Sequence, residues 1–99
     1  MNKQDKLAEV RTRFLADLRS SGQHIGELKQ QGGVIENEAL HELIHRIAGK
    51  AGFFGEVEIA ETAKNLEKDL RLQQLDKLVA NEKLDELLSL IRQVTNAKN

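Results

Sequence analysis

From Leu7 to Leu28, apolar or small residues recur in alternating steps of three and four: Leu7, Val10, Phe14, Leu18, Ser21, Ile25 and Leu28. A helix gathers positions so spaced onto one face, so the spacing predicts a continuous helix from about Lys3 to about Gln30. Gly22 and Gly26 weaken it by up to about 1 kcal/mol each relative to alanine and make a bend there expected. Gly32-Gly33 ends it. No proline interrupts the rest of the chain, and Leu, Ala, Glu, Lys and Gln dominate over strand formers.

A second helix is expected from Glu36 or Asn37, with Leu40, Leu43, Ile44, Ile47, Ala51 and Phe54 in the core, until Gly55 breaks it. A third runs from about Glu56 to Leu70 and buries Ile59, Ala63, Leu66 and Leu70, leaving Glu58, Glu61, Lys64 and Glu67 in water. Arg71–Ala80 reads equally as an extension of that helix or as a loop. Asn81 is the expected cap of a fourth helix that buries Leu84, Leu87, Leu88, Ile91 and Val94 before a polar tail, Thr95–Asn99. Four amphipathic helices bury their stripes against one another, which predicts an all-α, antiparallel four-helix bundle forming a single domain over residues 1–99.

With 39% apolar and 31% charged residues, the 99-residue chain has the balance of one globular domain with a modest core. The absence of cysteine excludes disulfides, thiolate catalysis and cysteine-held metals. The N-terminus lacks the apolar core of a signal peptide and no apolar run is long enough to span a membrane, so a cytoplasmic protein without a membrane partner is expected. A net charge of −1 and three phenylalanines without tyrosine or tryptophan give no footprint for nucleic acid.

The segment Leu43–Gly55 sets a histidine beside small residues. At about 100° per residue, His45 falls roughly 140–150° from the core direction of the second helix and faces solvent. His41, Gly49 and Gly52 share that outer stripe. Glycine inside a helix is destabilising, so two on one face point to the close approach of another surface. An imidazole keeps a large neutral fraction near neutral pH and can serve as nucleophile, base or metal ligand. Attack on a phosphoryl group needs a placed nitrogen and nearby positive charge, which Arg46 and Lys50 offer.

On these residues the chain resembles the histidine phosphotransfer (HPt) domain family, whose signature helix carries His, an apolar residue at +2, Lys at +3, Gly at +4, small residues, and Gly at +10. Here those positions are His45, Ile47, Ala48, Gly49, Lys50-Ala51-Gly52 and Gly55. Phe14-Leu15-Ala16-Asp17-Leu18 matches the family's first-helix anchor, and Glu56–Leu70 its third helix; the fourth agrees in pattern only. The resemblance implies that His45 accepts a phosphoryl group from the aspartate of a response-regulator receiver domain and relays it in a two-component phosphorelay, with a hybrid histidine kinase as a further partner. It implies a phosphocarrier rather than an autonomous enzyme, with no cofactor of its own and Mg²⁺ brought by the receiver. His41, Gly49, Gly52 and Phe53 would form the partner surface of a monomer. Ala48 departs from the family's lysine, which helps bind the phosphoryl oxygens; Lys50, reaching round to the same space, is the expected partial substitute.

Two other readings compete. The departure at Ala48 leaves open a module that binds receivers without accepting phosphate. His41-Glu42-Leu43-Ile44-His45 also fits H-E-x-x-H, where two histidines one turn apart hold zinc. The extended form of that motif needs Gly at 48 and His at 51, both alanine here, so no metal is expected. His24 lies off the apolar stripe with no motif around it.

Overall fold

A computed structural model describes residues 3–31, 35–72 and 76–96, and within them the chain forms four helices: α1 (Lys3–Gln31), α2 (Glu38–Phe53), α3 (Val57–Arg71) and α4 (Lys77–Asn96). The expected Gly32-Gly33 stop lies outside the described residues, as does the end of the polar tail. α1 runs unbroken through both Gly22 and Gly26. A side chain at Gly22 would meet the Ile91 Cγ2 atom of α4 at 3.2 Å, so this glycine serves close helix packing.

The ends of α2 follow its sequence. The Asn37 side chain accepts a hydrogen bond from the Leu40 amide at 3.1 Å and caps the helix. At the other end Gly55 takes φ 78°, a left-handed conformation that glycine adopts without strain. The amides of Phe54, Gly55 and Glu56 then bond back to carbonyls of the last turn. α4 starts earlier than expected: the Asp76 carboxylate accepts from the Val79 amide at 2.9 Å, so Asp76 is the cap and Asn81 lies inside the helix. Arg71–Ala80 therefore divides, with Arg71 closing α3 and Lys77 opening α4.

Each helix runs antiparallel to the one before, and α1 packs between α2 and α4, as α3 does on the far side. Leu18, Ile25, Leu40, Ile44, Ile59, Leu66, Leu84, Leu87 and Ile91 are among the buried residues of one continuous core. Leu7 and Val10, expected there, are 68% and 44% exposed. The cause is length: α1 has 29 residues against 16 in α2, so its stripe outruns the helices that could cover it. Thr95 is buried instead of starting the tail, its hydroxyl on the Ile91 carbonyl and its own carbonyl accepting from Arg19 Nη2 at 2.6 Å. Arg11 Nη2 donates to Glu56 at 2.5 Å and fastens the α2–α3 turn to α1. Among the described residues no helix is long and apolar enough to cross a membrane.

Candidate functional site

α2 is held from both sides, and its inward positions are apolar: Leu40, Leu43, Ile44, Ile47 and Ala51 are buried. His45 therefore points away from the core, with 71% of its side chain exposed. Its Nδ1 lies 2.5 Å from the Glu67 Oε2 atom of α3, whose side chain is only 24% exposed. A carboxylate accepts and does not donate, so Nδ1 carries the ring proton and donates to Glu67. The neutral ring then has its lone pair on Nε2, which has no hydrogen-bond partner among the described residues. A nucleophilic nitrogen is thereby fixed in tautomer and direction on the exposed side of the ring.

Glu67, expected in open water, instead meets the histidine. Periodicity gives its direction on α3 but not which residue of α2 stands across from it. The available signal is a carboxylate beside the small residues Ala60 and Ala63, on a face that can approach another helix closely.

The remaining residues of the outer stripe divide by flank. Gly49 has nothing within 4 Å of the place a Cβ would occupy, and at Gly52 a methyl would meet Ala60 Cβ at an ordinary 3.9 Å. No contact among the described residues requires either residue to be glycine. His41 is half-buried and has an interaction of its own. Phe53 is 81% exposed, its ring edge-on to Phe54 with centroids 5.1 Å apart, while Phe54 stacks on Phe14 at 4.3 Å. Phe54 thus anchors the helix end, and Phe53 stands on the surface.

Arg46 and Lys50 lie on the α1 flank, where Lys50 Nζ is 3.9 Å from Asp17. Both line a cleft of about 410 Å³ between α1 and α2 whose depth is formed by Phe14, Leu18, Leu43 and Ile47. Ala48 is buried and lies about 200° around α2 from Lys50, on the flank where His45 meets Glu67 and Gly52 faces Ala60. Among the described residues no group of three or more His, Cys, Asp or Glu side chains is placed to hold a metal ion.

A family model described as Hpt domain matches residues 9–97 of the 99-residue chain. No curated protein and no solved structure gave a significant match.

Proposed function

The chain belongs to the Hpt domain family, and on that premise we propose that His45 takes a phosphoryl group from the aspartyl phosphate of a response-regulator receiver domain and passes it to another receiver. Domains of this family serve histidine phosphotransfer in two-component signalling. The observation that carries the assignment to His45 is its outward ring with Nδ1 engaged by Glu67.

In the proposed step the Nε2 lone pair attacks phosphorus, the N–P bond forms, and the P–O bond to the receiver's aspartate breaks. The aspartate leaves with the electron pair as a carboxylate, and the ring proton stays on Nδ1. The ring therefore gains positive charge as it is phosphorylated, and the Glu67 carboxylate beside Nδ1 stabilises that charge. The receiver contributes its acidic pocket and Mg²⁺. Arg46 and Lys50 draw that acidic surface in, Gly49 and Gly52 leave room for it, and His41 and Phe53 border the docking area. One copy supplies all of these residues, so the proposed transfer needs no second copy.

The test is incubation of the chain with phosphorylated receivers, followed by assay for acid-labile, base-stable phosphate. His45→Gln is expected to keep helicity and thermal stability and to lose all labelling. Labelling that survives the substitution places the acceptor elsewhere, and receiver binding without labelling of the wild type selects a binding-only module.

A further inference from the structure

Resting on that reading of His45, we infer that Lys64 of α3 supplies the positive charge that holds the phosphoryl oxygens, across the helix pair from Ala48. Two contacts fix the register of α2 against α3: His45 on Glu67, and Gly52 opposite Ala60. In an antiparallel pair, a step forward on one helix is an equal step back on the other. Three residues on from His45 and three back from Glu67, Ala48 stands opposite Lys64. Four more in each direction reach Gly52 and Ala60, so both contacts agree on this layer.

Chemistry at that layer is complementary. Ala48 is buried and small, so α2 places no long side chain between Lys64 and the His45 surface. Lys64 is exposed and forms no ion pair with any described residue. It lies three residues from Glu67, a spacing that puts side chains about 5–6 Å apart on one helix face. Its flexible four-carbon stem spans such a step and carries three donors to a group bonded to Nε2. Lys50 projects from the other flank of α2, about 200° around the helix from position 48, and sits by Asp17.

The experiment measures the equilibrium fraction of phosphate on His45 in mixtures of the full chain with a phosphorylated receiver. Lys64→Ala is expected to shift the equilibrium toward the receiver by about fivefold, the scale of one exposed charge pair. Lys64→Arg restores most of it. Lys77→Ala, an equal charge change on α4, leaves the equilibrium in place.

An unchanged equilibrium in Lys64→Ala, or an equal loss in Lys77→Ala, overturns the role of Lys64 while His45 remains the acceptor. Wild-type chain that takes no phosphate overturns the carrier reading and, with it, the role of Lys64.

Discussion

Toward α3, helix α2 presents Ala48, Ala51 and Gly52 and is met by the buried Ala60 and Ala63; toward α1 it presents Arg46 and Lys50 across a cleft of about 410 Å³. Small residues on both sides of the first seam let the two backbones come together, and close packing permits few alternative positions. That is the side on which His45 is tied to Glu67. The second seam is open, and across it Lys50 stands 3.9 Å from the exposed carboxylate of Asp17. On the proposed function, the group that must be aimed thus sits on the tight flank, and the charges that need only attract sit on the loose one.

The largest effect that can break this contrast comes from adding bulk to each seam. Ala63→Leu puts three extra carbons at a fully buried position between helices and is expected to lower stability by about 1–3 kcal/mol. Ser21→Leu adds bulk beside the cleft and is expected to stay within about 0.5 kcal/mol of wild type. Urea unfolding midpoints measure both. Equal losses would mean that the α1 seam is as confined as the α3 seam.

Next in size is the tie between His45 and Glu67. Glu67→Ala removes the acceptor that sets the tautomer and, on the proposed mechanism, the charge that offsets the phosphorylated ring. A hydrogen bond to a charged group is worth about 1.5 kcal/mol, so transfer from a receiver is expected to slow about tenfold. Glu67→Gln keeps an acceptor without the charge and is expected to lose less. Rapid-quench kinetics with one receiver resolve the difference, and a Glu67→Ala rate equal to wild type would show that α3 does not aim the ring.

Much of the outward side of this site is legible in the sequence. Spacing along a single helix is enough to turn His45 away from Leu43, Ile44 and Ile47, to end α2 at Gly55, and to set Phe53 and Phe54 on different sides. The features that escape such a reading depend on a second helix. Glu67 and Lys64 read as solvated charges because a period gives direction on its own helix and carries no information about the residue opposite. Leu7 and Val10 read as core because a stripe does not record where its partners stop. Thr95 reads as tail because its burial comes from Arg19 and the packing of α4 on α1. The capping carboxylate of Asp76 is locally readable, yet Asn81 offers an equally good polar start further along the same segment.

The smallest effect sharpens the comparison at the surface itself. Gly49 lies in the middle of α2 with open space where a side chain would be, so Gly49→Ala restricts the unfolded chain and meets no clash. Stability is expected to rise by up to about 1 kcal/mol. The same methyl projects beside His45 into the surface that a receiver would approach on the proposed function, so transfer is expected to slow by about threefold, equivalent to well under 1 kcal/mol of docking. Thermal melts and transfer kinetics on the same preparation separate the two effects. A variant that gains stability and transfers at the wild-type rate would show that bulk at this position does not obstruct the partner, and the clearance would have to be sought at Gly52, nearer the α3 seam.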